Sequence, residues 1–234
     1  MRLDKPRRQK DAFFEGPDSP TLIRRALSEG VATAALTMIV VFSARATWLG
    51  EMKPLALIVG VPAALASLIL TFGPATGGHF NPLVTGSQWI CGHRNTRCLI
   101  GYVIAQCFGA LGGAALAALL VDPAPRTSSP PMGLVIGGEI FASAGLIAIV
   151  MAASLVMSPR GGLLAVIGWV VMINLAVPAG PFANPVLAVA APLALGAFKA
   201  PDALIHVASE LAGAGIGLLV IAVSYPAATS RRRE

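Results

Sequence analysis

Two Asn-Pro pairs occupy matching places in the two halves of this chain. One lies in Gly77-Gly78-His79-Phe80-Asn81-Pro82-Leu83 and the other in Gly180-Pro181-Phe182-Ala183-Asn184-Pro185-Val186. Asn is a favoured helix cap and Pro is favoured at the first helical position, so each pair predicts the start of a helix. A helix N-terminus carries partial positive charge, and an Asn side chain offers an NH2 group that can donate hydrogen bonds. Two such helix starts aimed at one point would bind neutral hydrogen-bond acceptors and oppose cations.

The composition places these pairs in a membrane protein. Of 234 residues, 56% are hydrophobic and 12% are charged, and the mean hydropathy is +0.76. Soluble domains carry about a quarter charged residues. Six apolar segments are long enough to cross a bilayer: about 24–48, 54–75, 97–121, 133–157, 162–179 and 203–225. The segments at the Asn-Pro pairs, 81–91 and 184–195, are about half that length, which predicts re-entrant half-helices.

The distribution of positive charge predicts the orientation. The net charge is +6, and 13 of the 17 Lys and Arg residues lie in the N-terminal tail and the start of the first span, the loops at 92–97 and 158–161, or the C-terminal tail. By the positive-inside rule, both termini are expected in the cytoplasm, with the chain in the plasma (inner) membrane. Basic residues at the ends of a membrane protein give no reason to expect a nucleic-acid partner. We expect a flexible tail at 1–22, a channel domain at 23–226 and a basic tail at 227–234.

The two halves resemble each other beyond the Asn-Pro pairs. Glu29 in Ser-Glu-Gly-Val-Ala-Thr-Ala corresponds to Glu139 in Gly-Glu-Ile-Phe-Ala-Ser-Ala, each in the first span of its half. The repeats cover about residues 23–121 and 133–226. Each contains three spans, so the second repeat enters the membrane upside down, and the functional site is expected near the bilayer midplane.

These motifs closely resemble those of the aquaporin, or major intrinsic protein, family, with Leu83 and Val186 in place of the alanines of its paired Asn-Pro-Ala motifs. The resemblance implies an all-α fold of six transmembrane helices and two half-helices, assembled as a homotetramer in lipid. It implies a passive channel for water or small uncharged solutes such as polyols, metalloid hydroxides or dissolved gases. It also implies that buried Glu29, Glu139 and Gln106 brace the re-entrant loops. The expected pore-lining backbone carbonyls belong to Gly77, Gly78, His79, Gly180 and Phe182.

One departure from the family concerns the selectivity region. Most members have Arg directly after the second motif, where this chain has Leu187. The spacing of the family places Val61, Met172 and Pro181 around it, so the whole region is expected to be apolar. An apolar constriction either excludes water when it is narrow or passes bulkier neutral solutes when it is wide, and the sequence leaves both open.

Intramembrane carboxyl groups suggest an alternative function. A proton-coupled transporter would use Glu29, Glu139 or Glu210 as its proton carrier, because ionisable residues inside a membrane are costly and usually functional. Glu210 could line a cavity, contact another subunit or lie protonated in the core. No enzyme activity and no cofactor are expected. Cys91, Cys98 and Cys107 show no metal-binding spacing, so no metal is expected either.

Overall fold

The computed structural model of the chain describes residues 20–45, 53–120, 130–177, 180–196 and 199–226. Within this part, six helices are long and apolar enough to cross a membrane. The C-terminal tail and nearly all of the N-terminal tail lie outside the described residues. The helices are α1 (Leu22–Ala44), α2 (Lys53–Leu55), a π-helical stretch (Ala56–Gly60), α3 (Val61–Thr76), α4 (Pro82–Ile90), α5 (Thr96–Leu120), α6 (Met132–Val156), α7 (Pro159–Ala176), α8 (Pro185–Ala194) and α9 (Ala200–Ser224).

The predicted all-α architecture is confirmed. The second span consists of α2, the π-helical stretch and α3 in succession, and every predicted boundary lies within about four residues of the observed one. Pro62 explains the irregular stretch, because it lacks the N–H group that would continue the α-helical hydrogen bonding.

The two half-helices begin where the Asn-Pro pairs predict. Pro82 and Pro185 are the first residues of α4 and α8, and Asn81 and Asn184 precede them in extended conformation.

The C-terminus of α8 is bound by a cation from another part of the chain. The Arg45 guanidinium, at the end of α1, donates to Ala194 O at 2.6 Å. A positive charge at a helix C-terminus complements the helix dipole.

Each repeat is built on one closely packed helix pair, α1 with α5 and α6 with α9. Glycines permit the approach. A Cβ atom at Gly109 or Gly113 of α5 would overlap the backbone of α1, and one at Gly217 of α9 would lie 2.5 Å from Ala144 O of α6. Small residues at such crossings are typical of membrane helices, where close backbone packing supplies much of the attraction between helices.

Candidate functional site

The half-helices and the loops that precede them lie beside a cavity of about 160 Å³. Five helices contribute one face each, and α8 contributes Leu187. The helix residues that line the cavity are Leu36, Val40, Leu57, Val61, Leu65, Ile69, Val84, Gln88, Leu146, Val150, Ala153, Val166, Val170, Ile173, Asn174 and Leu187. The loops contribute residues 77–81 and 180–184, which include every loop residue expected from the sequence to line the pore.

The two Asn side chains bridge the two loops. Asn81 Nδ2 donates to Ala183 O at 2.8 Å, and Asn184 Nδ2 donates to Phe80 O at 3.0 Å. One hydrogen of each NH2 group is therefore bound between the loops rather than directed towards the lumen. The second hydrogen of each NH2 group has no acceptor among the described residues and can meet a solute in the cavity.

The two Asn residues differ as helix caps. Asn81 Oδ1 accepts from Leu83 N at 2.9 Å, as a capping side chain does. Asn184 Oδ1 is buried and accepts no hydrogen bond from the described residues, so the prediction of a cap by side chain is wrong there. The second half-helix therefore begins without the side-chain cap that the first one has.

Both loops adopt a strained conformation directly before their Asn residue. Phe80 has φ 48° and Ala183 has φ 47°, in the left-handed region that non-glycine residues rarely occupy. Such residues cost on the order of 1–3 kcal/mol each and persist only where the surroundings hold them. The sequence gives no sign of this strain, because neither Phe nor Ala favours that conformation.

In the first half, the Glu29 carboxylate holds the strained loop. It accepts from His79 N at 3.1 Å, from Phe80 N at 2.6 Å and from Gln106 Nε2 at 2.9 Å. Gln106 Nε2 also lies 3.0 Å from Thr85 Oγ1 in α4. Glu29 is fully buried, so its carboxyl group supplies the acceptors that the N–H groups of the loop need inside the protein.

In the second half, two carboxyl groups together accept hydrogen bonds from the N–H groups of the loop. Glu139 accepts from Phe182 N at 3.0 Å and from Ala183 N at 2.9 Å, while Glu210 Oε1 accepts from Asn184 N at 2.8 Å. His206 Nδ1 lies 2.7 Å from Glu139 Oε1. The sequence singled out Glu210 without a partner for it, and the structure places it beside the second loop.

The predicted selectivity residues do not all line the cavity. Val61, Pro181 and Leu187 do, whereas Met172 is not among the lining residues and packs against the surrounding hydrophobic core. The reason is helical periodicity. The lining face of α7 is formed by residues at positions i, i+4, i+7 and i+8, and Met172 lies outside that stripe. These four residues are Val166, Val170, Ile173 and Asn174.

Asn174 is a lining residue that the sequence analysis missed. Its amide donates to Val170 O at 2.8 Å within α7, and no described residue donates to its Oδ1. The helical stripe begun by Val166 and Val170 could have identified it. Besides the Asn-Pro asparagines, the polar side chains of the described lining are those of Asn174, Gln88 and His79. The Nε2 atom of His79 is buried and has no partner among the described residues.

No Asp, Glu, Lys or Arg occurs among the described residues that line the cavity. The described part of the chain also contains no cluster of three His, Cys, Asp or Glu residues that could hold a metal ion. The described lining therefore consists of amide and backbone polar groups, the His79 ring and otherwise apolar surface.

A family model described as "Major intrinsic protein" matches residues 17–221. The chain belongs to the major intrinsic protein family. Among curated proteins, this family member is 38% identical over 112 residues to "Aquaglyceroporin AqpS" of Rhizobium meliloti, a match covering 46% of the chain and 48% of that protein. It is 48% identical over 63 residues to "Aquaporin-8" of Mus musculus, covering 27% and 24%. The chain thus spans about half, or less, of the length of these relatives.

The fold of this family member matches that of a solved structure, the aquaglyceroporin from Plasmodium falciparum. The TM-score is 0.69, the identity is 16%, and the match covers 89% of this chain and 99% of the other. At that identity the likeness concerns the fold. Together with the six apolar helices, family membership establishes a multi-pass membrane protein.

Proposed function

We propose that this protein is a passive channel for water and small uncharged solutes, with hydroxylated molecules of about glycerol size within its range. The observation that carries the proposal is the paired bridge between the two loops, in which Asn81 and Asn184 flank a cavity without charged side chains in its described lining. A solute passing the two amides accepts hydrogen bonds from both sides, and the adjoining N-termini of α4 and α8 oppose cations.

The apolar residues of the lining support a preference for solutes less polar than water alone. Val61, Ile173, Pro181 and Leu187 offer only carbon atoms from their side chains, and Leu187 stands where most family members have Arg. A water molecule there lacks partners, which costs about 1–3 kcal/mol for each unmet hydrogen bond. A polyol loses less, because its carbon atoms contact the apolar wall while its hydroxyl groups reach Asn174.

The relatives agree with this substrate class. One curated relative and one solved structural neighbour carry the word aquaglyceroporin in their printed names. By the same family membership we propose a homotetramer with one pore in each subunit. The positive-inside distribution of Lys and Arg supports termini on the cytoplasmic face of the plasma membrane.

Swelling and shrinking of proteoliposomes tests the channel. In stopped-flow experiments, we expect water and glycerol fluxes above those of empty liposomes, linear in the solute gradient and unaffected by an imposed pH difference across the membrane. Asn81→Asp, which places a carboxylate at the bridge, should reduce the glycerol flux, whereas Asp202→Asn at the start of α9 should leave it unchanged. Accumulation of solute against its gradient, driven by pH, would show a proton-coupled transporter instead.

A further inference from the structure

The two re-entrant loops are braced by groups of different chemistry at equivalent positions. Tyr102 and Gln106 on α5 are four residues apart, as are His206 and Glu210 on α9, and each pair precedes glycines at the same spacing. The equivalence extends to ring contacts. His79 of the first loop packs edge-on against Tyr102 at 5.3 Å, and Phe182 of the second loop packs edge-on against His206 at 5.6 Å. The second loop therefore meets an imidazole and a carboxyl where the first meets a phenol and an amide.

The amide of Gln106 supplies a donor that an ionised Glu210 cannot supply. Gln106 Nε2 donates to the Glu29 carboxylate at 2.9 Å. At the equivalent place in the second half, the Glu139 and Glu210 carboxyl groups accept from the consecutive N–H groups of Ala183 and Asn184, which places the two acids side by side at the loop. Glu210 is fully buried, and its Oε2 has no hydrogen-bond partner among the described residues. One hydrogen is missing between two adjacent carboxyl groups.

Electrostatic repulsion between the two carboxyl groups favours binding of a proton at this place. Two carboxylates side by side in a membrane interior repel each other strongly, and a shared proton removes the repulsion. We propose that Glu139, His206 and Glu210 form a proton-binding site, in which Glu210 is a carboxylic acid whose O–H donates to the Glu139 carboxylate. The O–H group of Glu210 then donates to Glu139 as the Gln106 amide donates to Glu29 in the first half.

The surroundings of this site contain few other ionisable groups. The helices packed against α9 are α4, α6 and α8. Of these, α4 and α8 contain no Asp, Glu, His, Lys or Arg, and α6 contains only Glu139. On α9 itself the remaining groups are His206 and, one turn earlier, Asp202. The His206 side chain is 18% exposed whereas that of Glu139 is 0% exposed, and Glu210 is also fully buried, so His206 is the most accessible member of the three.

The proton affects the pore because the carboxyl groups of Glu139 and Glu210 accept hydrogen bonds from three consecutive backbone N–H groups of the second loop. These are the N–H groups of Phe182, Ala183 and Asn184. Loss of the proton places two carboxylates against one strained loop, and the Asn184 amide loses its fixed position at the cavity. Conduction should then fall as the pH rises. This last consequence rests on the proposed channel function, whereas the presence of the proton does not.

Infrared spectroscopy of the purified wild-type protein tests the proton directly. A carboxylic acid has a C=O absorption separate from that of a carboxylate, and it shifts in heavy water. We expect this band in the wild type at neutral pH and its loss in Glu210→Gln, which should fold normally because the side chain copies Gln106. Glu210→Gln that fails to fold, or a spectrum unchanged by the substitution, would overturn the proposal.

Solute flux at a series of pH values tests the consequence for the pore. The wild type should lose flux towards alkaline pH, and Glu210→Gln should keep its flux across the series. Gln106→Glu is the matched variant, since it gives the first loop the same carboxyl pair and should add a second loss of flux at alkaline pH. Identical pH profiles for the wild type and Glu210→Gln would contradict the proposal. A wild type that shows the infrared band but conducts at no pH would retain the proton site and refute the channel.

Discussion

At the scale of single residues, buried glutamates bind the strained backbone of both re-entrant loops. Phe80 and Ala183 adopt left-handed backbone conformations, and each has its N–H group bound by a buried glutamate. Their carbonyl groups accept from the Asn of the opposite loop. Every polar backbone atom of these two strained residues is therefore satisfied at a depth where an unmet group would cost about 1–3 kcal/mol.

Leu187 stands at the position where the family resemblance leads us to expect Arg. Leu187→Arg should introduce donors and a positive charge at the apolar wall, and so lower glycerol flux several-fold relative to water flux in proteoliposome swelling. Leu187→Met is the matched control, because it changes shape but not polarity, and should keep the wild-type ratio. An unaltered ratio in Leu187→Arg would place the selectivity region elsewhere in the cavity.

Asn174 contributes a polar group to the same cavity whose selectivity region the sequence led us to expect as wholly apolar. Asn174→Leu keeps the number and branching of the side-chain heavy atoms but removes the amide, so glycerol should lose a hydrogen-bond partner worth about 0.5–1.5 kcal/mol, or roughly 2- to 10-fold in flux. Met172→Leu, which changes a residue on a different face of the same helix, should leave glycerol flux unchanged. A larger effect from Met172→Leu would show that α7 presents the face predicted from family spacing.

At the scale of elements, the number, type and order of helices could be predicted from the sequence, because length and hydropathy determine what crosses a bilayer. The half-helices followed from Asn-Pro at their starts. The face of α7 towards the cavity could not be predicted, since a rotation of about 100° per residue exchanges Met172 for Ile173 as the lining residue. The partner of Glu210 was also beyond prediction, because it depends on how α6 and α9 meet.

The helix crossings give a prediction at the same scale. Gly113→Ala would place a methyl group against the backbone of Ala34, whereas Gly112→Ala meets nothing within 4 Å. Overpacking of this kind costs about 1–3 kcal/mol, so Gly113→Ala should lower the free energy of unfolding in detergent by that amount. Gly112→Ala on the same helix should be neutral. Equal effects of the two substitutions would show that the α1–α5 pair is more loosely packed than the structure has it.

At the scale of the whole molecule, the two repeats meet at the midplane through one reciprocal pair of hydrogen bonds. The bond from Asn81 reaches the second repeat, and the bond from Asn184 reaches the first, over sequence separations of 102 and 104 residues. Each bond holds the loop that presents the other donor. The two halves should therefore behave as a coupled unit, although each is braced by its own glutamate.

A double-mutant cycle measures this coupling. Asn81→Ala breaks one bond and loosens the loop that supplies Phe80 O to the other, so Asn184→Ala should cost less in the Asn81→Ala background than in the wild type. Residues in one hydrogen-bond network typically show interaction energies of about 0.5–3 kcal/mol. Asn81→Ala combined with Asn174→Ala is the control pair, since no hydrogen bond joins these two side chains among the described contacts, and its effects on the free energy of unfolding should add. Additivity in the Asn81 and Asn184 pair would mean that the repeats are held together by helix packing alone and that the bridge serves only the passing solute.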